Sequence, residues 1–95
     1  MSEPIVIAEA SVPRLARGAR LQFDQHRDRW IVQAPERLFV LDPIALEIVQ
    51  RCDGAASVSA IVDELSGKYN APRDVILRDV NALLQDFADK GVMTA

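Results

Sequence analysis

Strands first and helices after: the 95-residue sequence predicts an α+β domain in which a three-stranded antiparallel meander precedes three helices. Three observations carry that prediction. Arg20-Leu21-Gln22-Phe23-Asp24 alternates apolar and polar residues, the two-residue period of a half-buried strand. Asp42-Pro43 directly follows the apolar run Leu38-Phe39-Val40-Leu41. It supplies a capping carboxylate and then the residue whose fixed φ suits the first helical turn. Beyond that junction the apolar spacing changes to the helical period, as at Val58, Ile61, Val62, Leu65 and Tyr69.

Residues 1–13 show no lasting period and read as a flexible N-terminal arm ahead of a domain over 14–95, with Ile5-Val6-Ile7 the one stretch there able to form a short strand. Arg14, Arg17 and Arg20, with Gly18 among them, suggest an exposed turn. The first strand spans 20–24 and the second 29–34, where Trp30 and Val32 share a face. Gln25-His26-Arg27-Asp28 between them is polar and short, as a hairpin loop should be. Pro35 has no N–H to give a ladder, so it ends the second strand and opens the turn to the third, 37–41. In a meander that third strand lies at an edge.

Helix one runs from Pro43 to about Cys52, with Ile44, Ile48 and Cys52 on one stripe and Glu47 and Arg51 as an i,i+4 ion pair. Gly54 supplies a left-handed stop. Ser57 caps helix two, whose end Gly67 frays. Pro72 opens helix three, Asp74 complements the dipole in its first turn, and Gly91 closes it. The apolar arc of helix three is wide, about 140° at ~100° per residue. Ile76, Val80, Leu83 and Phe87 suit the core; Leu77, Leu84 and Ala88 form one margin, available to line a groove beside the sheet edge. The whole is winged helix-turn-helix-like.

Composition removes several classes of function. The chain is 49% hydrophobic and 26% charged, ordinary for a globular domain. No apolar run approaches the ~20 residues that cross a bilayer, which argues for no membrane partner and a cytoplasmic location. The net charge of −3 argues against nucleic acid. Helix three, the reading helix of such a fold, sets Asp74, Asp79, Asp86 and Asp89 against Arg73, Arg78 and Lys90. Cys52 is the lone cysteine, so neither a disulfide nor a Cys-rich metal site is expected.

Catalytic chemistry finds little to stand on. His26 sits in a polar loop with no nucleophile to activate. Asp24 and Asp28 beside it read as solvated turn residues rather than metal ligands. Cys52 lies on an apolar stripe and reads as a small buried hydrophobe. No glycine loop cradles a phosphate. The expectation is a non-enzyme without cofactor or metal.

The edge strand is different. Natural edges are guarded by Lys, Pro, a bulge or an inward charge, and Leu38 to Leu41 has none of these within it. Three coverings are open on physical grounds: the chain's own arm or Val92-Met93, a second copy in a domain-swapped dimer, or a peptide captured by strand addition.

The spaced residues Gly18, Arg20-Leu21-Gln22 and Asp24, then Ala34-Pro35-Glu36-Arg37, Leu41-Asp42, Ala45, Ile48 and Cys52-Asp53-Gly54 closely resemble the PqqD family. Ser57, Ile61, Leu65, Tyr69 and Asp79-Val80 fit the same pattern, so the resemblance covers residues 13 to 93. It implies a non-catalytic peptide chaperone of pyrroloquinoline quinone biosynthesis, a RiPP recognition element; the chain is expected to be a monomer, with a domain-swapped dimer as the alternative. Its partners would be the precursor peptide PqqA and the radical S-adenosylmethionine enzyme PqqE. The peptide would add as a strand beside Leu38, Phe39, Val40 and Leu41 and pack on helix three, where Leu77, Leu84 and Ala88 are the expected contacts. Arg37, Arg73 and Arg78 would steer an acidic peptide. The competing readings are a winged-helix DNA-binding protein and a dimeric scaffold.

Overall fold

A computed structural model describes residues 5–95. Its elements are β1 (Arg14–Leu15), β2 (Arg20–Asp24), β3 (Arg29–Ala34), β4 (Arg37–Leu41), α1 (Pro43–Gln50), α2 (Val58–Tyr69), α3 (Arg73–Asp89) and β5 (Met93–Thr94). The expected meander and three helices are present: β2, β3 and β4 form an antiparallel sheet in that order, followed by the helices. The β3–β4 turn is Pro35-Glu36, with Glu36 at a φ of 65°. Proline followed by a positive φ is the pattern of a type II turn.

The helix starts follow the sequence signals. Asp42 accepts the Ala45 N–H at 2.7 Å and Ser57 accepts the Ala60 N–H at 3.1 Å. Gly91 closes α3 with a φ of 77°, as expected, but the ends of α1 and α2 differ from expectation. α1 stops at Gln50 because Arg51 turns back its N–H to the carbonyls of Ile48 and Val49. α2 passes through Gly67 and ends at Asn70, which takes the left-handed conformation with φ 49°. Asparagine tolerates that region better than other side chains, so the stop lies three residues beyond the glycine.

Two features escaped the sequence reading. Arg14–Leu15, expected as part of a turn, pairs antiparallel with Met93–Thr94 as a second, two-stranded sheet. The arm from residue 5 to 13, expected to be flexible, is tied down without forming a strand. The Ser59 and Val58 N–H groups donate to the carbonyls of Glu9 and Ser11, and the Gly54 N–H donates to that of Pro13. Met1–Pro4 lie outside the described residues.

The core joins Val32, Ala34 and Leu41 of the sheet to Ile48, Val58, Ile61, Val62, Leu65, Val80, Leu84 and Phe87 of the helices, with Val92 and Met93 closing one end. Cys52 is buried there, as its stripe implied, and its thiol donates to the Ile48 carbonyl at 3.2 Å. Burial pushes that thiol up to about 12.

Candidate functional site

β4 is the third strand of a three-stranded sheet and, among the described residues, has a partner on one side only. Its register with β3 pairs Arg37 with Ala34, Phe39 with Val32 and Leu41 with Trp30. A two-residue turn makes Ala34 and Arg37 the first hydrogen-bonded pair. The peptide groups of Arg37, Phe39 and Leu41 therefore face β3, and those of Leu38 and Val40 face outward. Among the described residues no backbone group bonds them. The arm is held against α2 and α3, and Val92-Met93 leads into the β1–β5 pair. Residues 5–13 of the arm and Val92-Met93, the intramolecular coverings considered for this edge, are thus committed elsewhere.

Side chains alternate across the same strand. Arg37, Phe39 and Leu41 turn toward the helices, while Leu38 and Val40 turn to the opposite face of the sheet. The Phe39 ring lies 5.2 Å from that of Phe87, and the charged ends of Arg37 and Lys90 sit 5.4 and 5.6 Å from its centroid. Arg37 also donates to the Lys90 carbonyl. The last turn of α3 is thus fastened to the head of β4.

From there a groove runs between α1 and α3. Asp42, Ile44 and Ala45 form one wall and Asp79, Ala82 and Leu83 the other, around a volume of about 330 Å³. It continues into an apolar pocket of about 180 Å³ that reaches Leu65, Tyr69, Ile76 and Val80. Leu83 is one helical turn before Phe87, and Asp42 directly follows β4. The groove therefore begins where β4 ends, on the side of α3 that Phe87 and Lys90 hold against the strand.

The α3 side of this arrangement corrects the expectation. Leu84 is 0% exposed and belongs to the core. Leu77 and Ala88 are half-buried on the other margin of the helix, the one next to Gln85. Gln85 holds the arm there: its Oε1 accepts the Ile7 N–H at 2.9 Å and its Nε2 donates to the Ile5 carbonyl at 2.8 Å. The margin beside β4 is instead Ile76, Asp79 and Leu83. Periodicity found an arc wider than the core needs but assigned the wrong end of it to the edge, because the arm's course leaves no trace in the helix's own sequence.

The charges are corrected too. Arg73 is spent on the arm and α2, with Glu9 and Asp63 each 2.6 Å away and Ser59 at 2.9 Å. Those carboxylates raise its already high pKa. Arg78 lies exposed five residues past the helix start and on the side of Gln85 rather than of Leu83. Of the three arginines expected to steer a ligand, only Arg37 stands at the edge. The acidic groups at the groove are Asp42 and Asp79.

At the far end of the groove Glu47 gathers three partners. Lys68 bonds one oxygen, Tyr69 the same oxygen at 2.7 Å, and Arg51 the other at 3.2 Å. Together, with Lys68 first, they hold its carboxyl at about 2. The predicted Glu47–Arg51 pair is present, but Lys68 and Tyr69 were not foreseen as its neighbours. The loop residue His26 gives its backbone N–H to Asp24, and Asp24 also pairs with Arg29 at 3.3 Å.

Comparison with known proteins gives the chain's family. The family model described as Coenzyme PQQ synthesis protein D (PqqD) matches residues 29–93. A PqqA binding protein of Rhodopseudomonas palustris (strain BisB5) is 56% identical over 93 residues, which is 98% of this chain and 91% of its own. The solution NMR structure of the PqqD truncation of Methylobacterium extorquens PqqCD is described as a functional and stand-alone RiPP recognition element. It aligns with a TM-score of 0.83 at 37% identity, over 99% of this chain and 100% of that one. The crystal structure of PqqD from Xanthomonas campestris aligns with a TM-score of 0.61 at 38% identity, over 94% of this chain and 99% of that one. A family match over more than half of the residues and relatives of this identity over nearly all of them lead to one conclusion: the chain belongs to the PqqD family.

Proposed function

We propose that this chain is a peptide chaperone of pyrroloquinoline quinone biosynthesis. It binds the precursor peptide PqqA as an added strand along β4 and presents it to the radical S-adenosylmethionine enzyme PqqE, performing no chemistry itself. The observation that carries the reading is the pair of outward-facing peptide groups at Leu38 and Val40, with no partner among the described residues, on a strand whose end leads into the groove between α1 and α3. The family relationship to a PqqA binding protein supports the choice of guest.

Leu38 and Val40 each offer one donor and one acceptor. Each backbone bond to a guest contributes about 0.5–1.5 kcal/mol net. Apolar guest side chains lodged against Ile44 and Leu83 add about 1.5–3 kcal/mol each when fully buried. Ordering a flexible peptide offsets about 2–5 kcal/mol or more of that gain. The balance is a moderate affinity, suited to a carrier that must release its cargo.

Amide NMR titration of the chain with PqqA tests the proposal. Shifts should concentrate on Leu38–Leu41, Ile44 and Leu83, with Leu38 and Val40 amides gaining protection from exchange. Shifts confined to the arm, Leu77 and Ala88, with Leu38 and Val40 still exchanging freely, would overturn it.

A further inference from the structure

The side of the sheet facing away from the helices has no role in that scheme. The strand registers put three rows there: Arg20, Gln33 and Leu38; then Gln22, Ile31 and Val40; then Asp24 and Arg29. Ile31 is 4% exposed although it is not part of the core cluster. Its neighbours on this face bury it. Leu38 and Val40, beside it, are 43% and 55% exposed. An apolar centre with a polar border, on a sheet face that no described element packs over, is the usual anatomy of an interaction surface.

The charges indicate what it meets. Residues 14–41 hold six arginines against three acidic residues, whereas residues 42–95 hold five basic residues against nine acidic. On the face itself the one carboxylate is Asp24, and Arg29 at 3.3 Å and Arg27 at 3.9 Å already pair with it. Arg20 is exposed and no carboxylate is paired with it among the described residues. The border is cationic, and its complement is an acidic rim around an apolar patch.

We infer that the outer face of this sheet docks the peptide-modifying enzyme, through an apolar surface bordered by carboxylates. The inference rests on the presentation reading above. A strand added beyond β4 would extend this same face, and every second side chain of the guest would lie in line with Leu38 and Val40. An enzyme seated there would hold the carrier and reach the guest on one continuous surface, leaving the groove between α1 and α3 undisturbed.

The test uses PqqE as the probe, titrated into the labelled chain with and without PqqA, for the wild type, Arg20→Glu, Gln22→Glu and the double variant. Thermal unfolding first verifies that each is folded. Neither residue contacts the proposed peptide site, so affinity for PqqA should stay within about twofold. Affinity for PqqE should fall at least fivefold in each single variant and about thirtyfold in the double variant, and Arg20→Lys should retain it. Enzyme affinity that is unchanged in the double variant, or absent in the wild type, overturns the inference. If the wild type fails to bind PqqA, the presentation reading fails alone, since docking of the free chain and its loss on Arg20→Glu are read separately. A concentration-dependent mass that Arg20→Glu abolishes, without enzyme binding, would assign the face to a second copy of the chain and overturn the inference as well.

Discussion

The two margins of α3 are both apolar, and only one is open. On the Leu77–Ala88 margin the chain supplies its own cover: Gln85 fixes the arm through the Ile5 carbonyl and Ile7 N–H, and Ile7 is buried. On the Ile76–Leu83 margin the neighbour is α1, which stands off far enough to leave the groove. A surplus of apolar residues on a helix therefore states that something beyond the core will cover it. Whether that cover belongs to the same molecule or to a guest depends on chain segments remote in sequence.

Truncation of Leu84 gives the largest separation between the margins. Because it is fully buried, Leu84→Ala should destabilise the domain by about 2–5 kcal/mol through lost burial and the cavity left behind. Leu83→Ala, at the groove wall, should cost less stability and should weaken PqqA binding. Denaturant unfolding and peptide titration of the two variants check this. Equal stability losses with unchanged peptide binding would mean that the groove is only a packing seam.

Proline at the edge comes next. Phe39 turns its N–H toward Val32, so proline there breaks the β3–β4 ladder and tests folding rather than capture. Val40 turns its N–H outward, and an edge strand tolerates proline when the lost donor faces solvent. Val40→Pro should remain folded and bind PqqA at least tenfold more weakly. Undiminished binding by a folded Val40→Pro protein would leave the added strand without support.

How much of this was legible in the sequence varies by element. Alternation and the Asp42-Pro43 junction located the sheet, the edge and the start of α1, because strand period and helix caps are set by adjacent residues. Ser57 did the same for α2. The Arg14–Leu15 pairing with Met93–Thr94 was not legible, since two-residue strands have no period and their partners lie at opposite ends of the chain. The same limit explains Leu77, Leu84 and Ala88: a helical wheel fixes which residues share a face but not which neighbour that face meets. Arg73 is the electrostatic version of that limit, its charge being met by Glu9, 64 residues away.

A smaller change asks whether the closed margin is closed by the arm itself. Gln85→Ala removes both bonds to the arm and should cost about 1 kcal/mol, the usual net value of a hydrogen bond or two that solvent can partly replace. Amide exchange at Ile7 should quicken, while PqqA affinity should not change. Tighter PqqA binding, with new shifts at Leu77 and Ala88, would show the arm competing with the guest and would reverse the assignment of the margins.

The mildest effect is expected where α1 is held in position along the open margin. Glu47 ties α1 to the end of α2 through Lys68 and Tyr69, and its carboxyl is held at about 2, below its ordinary value. A depressed carboxylate stabilises the folded state at pH above its unfolded value, and that contribution disappears as pH falls toward the folded value. Between pH 5 and pH 2.5 the wild type should therefore lose stability from this cluster, and Glu47→Gln should lose less over the same range. Glu47→Gln should also be slightly less stable than the wild type at pH 7, since a neutral amide replaces a charge-assisted acceptor of the Lys68 ammonium. Thermal midpoints at four pH values check the sign. Parallel curves for the two proteins would show that α1 is positioned by its apolar stripe of Ile48 and Val49 alone, and that the open margin owes nothing to this ion cluster.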